Sequence, residues 1–125
     1  MALTVQQLFN HSLALMSELN VNRDSYAEFV LPNVNTLLSE LLFLQKAVTN
    51  DDEQEAPYLT KMRSIIPYDF RIVLTCMNYV LARLLLLGDD EYAKAGFFNQ
   101  EYLESVEKLQ RNSVKGVWVE QVSAY

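Results

Sequence analysis

Between Pro67 and Gly88 the chain is apolar around most of a helix's circumference. Phe70, Ile72, Val73, Leu74, Met77, Val80, Leu81, Leu84 and Leu85 leave no broad polar face, so this segment is expected to be the central and most buried helix. Pro67 suits a first helical turn, Asp69 complements the positive end of the helix dipole, and Gly88 marks the stop. The apolar run Ile72 to Leu87 contains Asn78 and Arg83. It falls short of the roughly 20 apolar residues of a membrane span, which favours a core helix. Arg71, Thr75, Asn78 and Ala82 form a narrow polar or small stripe on it, read as solvent exposure or as a close contact with a neighbouring helix.

A buried helix needs partners, and the remaining sequence supplies them as helices. Only three Gly and three Pro occur in 125 residues, too few for a many-stranded fold. A first helix is expected from Val5 to Leu19 behind an N-cap at Thr4, with Val5, Leu8, Phe9, Ser12, Leu15, Met16 and Leu19 on one face. Asn20 to Arg23 read as a turn, and Asp24 or Ser25 as the next cap. A second helix then carries Tyr26 to Val48, kinked or begun at Pro32, with Val34, Leu37, Leu38, Leu41, Leu44 and Val48 as its apolar stripe. Thr49 to Ala56 form an acidic loop. Tyr58 to Ile66 read as a short helical turn with Leu59, Met62, Ile65 and Ile66 inward. A last helix runs from the Asp89-Asp90 cap to Arg111, with Tyr92, Ala95, Phe98, Tyr102, Leu103, Val106 and Leu109 facing the core. Gly116 breaks this pattern, and Val117, Trp118, Val119 and Val122 read as an extended segment. The expected fold is all-α: a small bundle of about four main helices over residues 1–111, and an extended C-terminal arm over residues 112–125.

The formal net charge of −6 disfavours binding to nucleic-acid phosphates and to anionic membranes. No signal peptide is visible at the start of the sequence, Met1-Ala2-Leu3-Thr4. One Cys excludes an internal disulfide, and Cys76 among Leu74, Met77 and Val80 reads as a core thiol. His11 sits at the edge of the first helix's apolar face as a half-buried surface residue. Glu101, Glu104 and Glu107 step by three, as in helical pyrophosphohydrolases that bind Mg²⁺. Such a site needs a second acidic pair on a facing helix, and Glu40 stands alone, so the three read as a solvated face. Neither a phosphate loop nor a nucleophile elbow is present. No catalytic, cofactor or metal residue is assigned, and no enzymatic activity is expected.

The informative residues are apolar ones out of place. At 100° per residue Phe43 lands among Thr36, Ser39 and Glu40, and Phe97 among Glu101, Glu104 and Lys108. Trp118 lies in a segment with no core face of its own. Together they favour a surface that other subunits cover, with local packing by loop or tail as the other reading.

The segments "LPNVNTLLSELL" and "IPYDFRIVLTCMNYVLARLLLLGDDEYAKAGFFNQEYLESVEKL", with the closing "VEQVSAY", resemble the head–tail connector (adaptor or neck) proteins of tailed phages. The resemblance spans about Val5 to Tyr125 and is strongest from Pro67 to Leu109. It implies a virion neck subunit, assembled in the host cytoplasm as a ring, commonly of twelve copies, beneath the portal protein. The ring would extend the DNA channel without specific DNA binding and offer a surface to further neck or tail proteins. It also implies that Val117, Trp118, Val119, Val122 and Tyr125 form an arm onto a partner, with Phe43 and Phe97 as further partner-binding candidates. An acidic channel wall would let DNA slide. The rival reading is a small acidic cytoplasmic chaperone or regulatory adaptor that binds another protein in a groove.

Overall fold

Thr4 opens the first helix, α1 (Val5–Leu15), as its spacing predicts. Its hydroxyl accepts the Gln7 N–H at 3.2 Å, and the Gln7 side chain accepts the Thr4 N–H at 2.9 Å, a capping box. The N–H groups of Val5 and Gln6 donate to the carbonyls of Ser64 and Met62 at 3.0 and 2.9 Å. All four donors that a helix start leaves open are thus satisfied, two of them by a distant loop.

The computed structural model describes residues 3–16 and 20–113. It is 73 % helical, with five helices and no strand among the described residues, a small all-α bundle. After α1 come α2 (Asn20–Glu40), α3 (Leu42–Thr49), α4 (Phe70–Gly88) and α5 (Tyr92–Ser113). The arm expected over residues 112–125 lies outside the described residues from 114 onward, as does Leu19.

Helix α1 ends at Leu15, short of the expected Leu19, with Met16 as its C-cap. Leu13 takes the buried place expected of Leu15, which lies exposed at the edge of the face. Asn20 to Ser25, expected to turn and cap, are already helical. Pro32 lies inside α2 and neither starts nor stops it. Its missing N–H would have served the carbonyl of Glu28; both residues are exposed, so water can take that place. The expected single helix to Val48 instead breaks at Leu41 (φ −93°, ψ 5°), whose carbonyl accepts from both Leu44 and Gln45. Asn50, left-handed at φ 56°, ends α3.

The segment Tyr58 to Ile66 is irregular, not a helix: one turn, closed by the Ser64 N–H on the Lys61 carbonyl at 3.0 Å, leads into a bridged end. Thr4 and Ile65 form an antiparallel bridge, and Ile66 N–H donates to the Leu3 carbonyl at 2.8 Å. Alternation therefore governs the side chains of that end: Ile66 is buried and Ile65 exposed, where a helix would have turned both inward. Asn35 on α2 holds the same loop by accepting the Leu59 N–H and donating to the Leu59 carbonyl, each at 2.8 Å.

Asp69 caps α4 by accepting the Arg71 N–H, while its own N–H donates to Gln45 on α3 at 2.8 Å. Pro67 lies two residues before this cap, outside the first turn. The stretch Val73–Met77 is π-helical. At its end the buried Ser12 hydroxyl bridges the carbonyls of Leu8 and Asn78, at 3.0 and 3.2 Å, and ties α1 to α4. Gly88 is the last helical residue, but the left-handed position that turns the chain is Asp90 (φ 59°).

Helix α4 packs on α1, α2 and α5, so it is the centre of the bundle as expected. Ile72, Val73, Cys76, Met77, Val80, Leu81, Ala82, Leu85 and Leu86 are buried there. At 19 residues it is long and apolar enough to cross a membrane, yet half of that stretch is covered by its own neighbours, as in a core helix. The narrow stripe divides: Arg71 and Thr75 face solvent, and Ala82 is buried. On α5, Ala95, Phe98, Tyr102 and Leu109 are buried, but Tyr92 and Leu103, expected inward, are exposed. Both lie roughly 100° from the centre of the face that the others define.

Candidate functional site

The closed core leaves several large apolar side chains outside. Phe43 on α3 is 48 % exposed and Phe97 on α5 is 60 % exposed, in keeping with their phase on the helices. Phe97 leans edge-on against the buried Phe98, with ring centroids 5.3 Å apart. It forms one wall of an open groove of about 430 Å³ with Leu15, Met16, Ala93, Lys94 and Phe98. Phe43 does not line this groove. The other residues singled out in the sequence, Val117, Trp118, Val119, Val122 and Tyr125, lie outside the described residues.

A second groove escapes a reading of the sequence. Ser25, Tyr26, Phe29 and Asn33 of α2 face Leu84, Leu85, Gly88 and Asp89 across about 280 Å³. The Tyr26 hydroxyl donates to the Asp89 carboxylate at 3.1 Å and closes one rim. Phe29 is 52 % exposed. Its signal was present: it lies roughly 110° from the centre of the stripe through Val30, Leu37 and Leu41, at the margin where a side chain is half covered.

The polar residues gather at a different place. Arg83 projects from the apolar α4 and donates to Glu40 of α2 at 2.7 Å and to Asn99 of α5 at 2.9 Å. Its guanidinium stands 5.6 Å from the centre of the Tyr102 ring. Burial first, and then the Glu40 carboxylate, push the Tyr102 phenol up to about 12. The Arg83 side chain is only 14 % exposed, so the cluster is a partly desolvated clamp across three helices. The guanidinium and the carboxylate are joined to each other, and the Tyr102 phenol holds its proton at neutral pH. Glu40, read as lacking an acidic partner, is paired with a cation on another helix.

The remaining titratable groups are scattered. Glu104 and Glu107 are exposed, with Gln100 and Arg111 as their helix neighbours. His11 is exposed on α1. Cys76 is buried, and burial pushes its thiol up despite the Thr75 hydroxyl beside it. Among the described residues no three His, Cys, Asp or Glu side chains converge as metal ligands would. No protein-family model matches the sequence, and no characterised protein and no solved structure is similar to it.

Proposed function

We propose that the protein is a non-enzymatic assembly subunit, and that its setting is a phage neck, where it forms a homo-oligomeric ring that docks on the portal and extends the DNA channel. The observation that carries the assembly reading is the exposure of Phe29, Phe43 and Phe97 on three different helices around a core that is complete without them. Large aromatics left out of a finished core are the residues that interfaces use as anchors. The neck setting rests on the sequence resemblance. The net charge of −6 suits a wall along which DNA passes without sticking. The arm at Val117, Trp118, Val119, Val122 and Tyr125 would then add an extended segment to a partner.

The test is to purify the full chain with a candidate portal protein and image the mixture by electron microscopy. A ring of this chain stacked on the portal supports the reading; a chain that stays monomeric beside intact portals refutes the neck setting. In the same assay Trp118→Ala should weaken docking more than it lowers the melting temperature. The opposite pattern would assign Trp118 to the bundle's own core. The groove at Phe29 favours a second reading, an acidic adaptor or chaperone that takes an apolar side chain of a client between α2 and α4. That reading predicts a monomer or dimer whose binding is lost on Phe29→Ser, with no ring under any condition.

A further inference from the structure

The groove between α2 and α4 is apolar on its sides and acidic at its rim. Leu84 and Leu85 line it from α4, the rings of Tyr26 and Phe29 line it from α2, and Asp89 joins them. The Tyr26 hydroxyl donates to one Asp89 carboxylate oxygen at 3.1 Å and holds the group in place. Among the described residues the other oxygen has neither a hydrogen-bond donor nor a cation. Asp89 is also the C-cap of α4. A helix ends there on open carbonyls and the negative pole of its dipole, which a cation would complement. The last turn of α4 holds no basic residue to do so. The positive end of α5 has Asp90 and Glu91 nearer to it along the chain, and Asp90 accepts the Tyr92 hydroxyl at 2.9 Å. A carboxylate, a helix C-terminus and two aromatic rings thus meet at one groove, and all three attract a positive charge.

We infer that this groove takes an arginine side chain of a partner protein. Each part of that side chain has its counterpart: the methylene stem on Leu84 and Leu85, the flat guanidinium on the half-exposed ring of Phe29, and the forked N–H groups on Asp89. An ammonium fits less well, because a point charge neither lies flat on a ring nor grips a carboxylate with a fork. A purely apolar side chain would strip water from the Asp89 carboxylate and give it no partner. The net charge of −6 draws a basic segment toward the molecule. The inference rests on the reading of this groove as a client site, and it narrows the client's residue to an arginine whose stem supplies the apolar contact.

The test titrates the isotope-labelled full chain with blocked alanine peptides that carry a central arginine, lysine or leucine, at millimolar concentration, and follows amide NMR shifts. The arginine peptide is expected to shift Phe29, Gly88 and Asp89 saturably and to bind more tightly than the other two. Asp89→Asn keeps an acceptor for the Tyr26 hydroxyl. It should weaken the arginine peptide about tenfold or more, the worth of a hydrogen bond to a charged group, and leave the leucine peptide unchanged. Phe29→Leu keeps the apolar contact but removes the ring face, and should weaken the arginine peptide alone. Arginine binding that survives Asp89→Asn overturns the inference. So does a lysine or leucine peptide that binds as tightly as the arginine one, although a tight leucine peptide leaves the client reading of the groove standing. If no peptide moves these signals, both fall together.

Discussion

Asp69 does three jobs, two of them through its carboxylate: the carboxylate caps α4 and pairs with Arg71 through two bonds of 2.9 and 3.1 Å, and the backbone N–H fastens α3 through Gln45. The Arg71 guanidinium holds the Asp69 carboxyl below its ordinary range. A carboxyl lowered on folding stabilises the native state above its unfolded pKa and loses that effect as pH falls through the folded value. Asp69→Ala should therefore cost about 1 kcal/mol at neutral pH, the usual worth of such a cap. In urea titrations the gap between variant and parent should shrink as the solution is taken below about pH 4. A gap that stays constant into acid would mean that the backbone, not the charge, carries the effect. Tyrosines set the other limit. Burial pushes both Tyr68 and Tyr102 up to about 12, and the Tyr68 hydroxyl donates to the Leu38 carbonyl. Their raised values mean that the stability they lend is whole below pH 10 and drains away as pH rises toward 12. Tyr102→Phe should flatten the alkaline decline of stability over that interval, measured by denaturant titration at a series of pH values. An unchanged decline would show that Tyr102 is not among the groups that deprotonate on alkaline unfolding.

At the level of elements, helices were legible wherever the apolar period persisted, and illegible where a distant segment intervened. Thr4, the stripe from Val34 to Leu44 and the buried α4 follow from local chemistry. The break at Leu41 does not, because the apolar stripe runs through it without interruption. The segment from Tyr58 to Ile66 is illegible in the sequence for a related reason. Its apolar residues fit a helix or a strand about equally, and what decides is that the open N–H groups of α1 need the carbonyls of Met62 and Ser64. Asn35 was invisible because a lone amide on a helix gives no sign of the backbone it grips. Its two bonds to Leu59 imply that Asn35→Ala leaves a partly buried N–H and carbonyl without partners, at a cost of about 1–3 kcal/mol. The loss should be local. Hydrogen exchange at Leu59 and its neighbours should rise more than exchange in α4. Equal acceleration throughout would show that the loop and the bundle open as one unit.

For the molecule as a whole the question is what a −6, half-apolar chain does with the side chains its core does not use. The Arg83 clamp shows how inward polar groups are handled: Glu40, Asn99 and Tyr102 surround the guanidinium, and α2, α4 and α5 are drawn to one point. That arrangement needs three elements in register, which is why Glu40 looked solitary in the sequence. The outward aromatics received no such treatment. Phe43 and Phe97 were legible because phase on a helix survives folding, whereas Phe29, at the margin of its stripe, was not. A pair of exposed aromatics on separate helices serves either folding or association, and the two can be separated. Exposed substitutions usually change folding stability by less than about 0.5 kcal/mol. The edge-on contact of Phe97 with Phe98 adds at most about 1.5 kcal/mol. Phe43→Ser with Phe97→Ser should therefore lower the unfolding free energy by no more than about 2.5 kcal/mol. If these rings anchor an interface, the same pair should weaken association by more than that, because aromatic anchors at a desolvated centre are worth about 2–4 kcal/mol each. Sedimentation velocity and thermal melts on one preparation measure both quantities. A large drop in melting temperature with assembly intact would place both rings in the fold and leave the surface without its anchors.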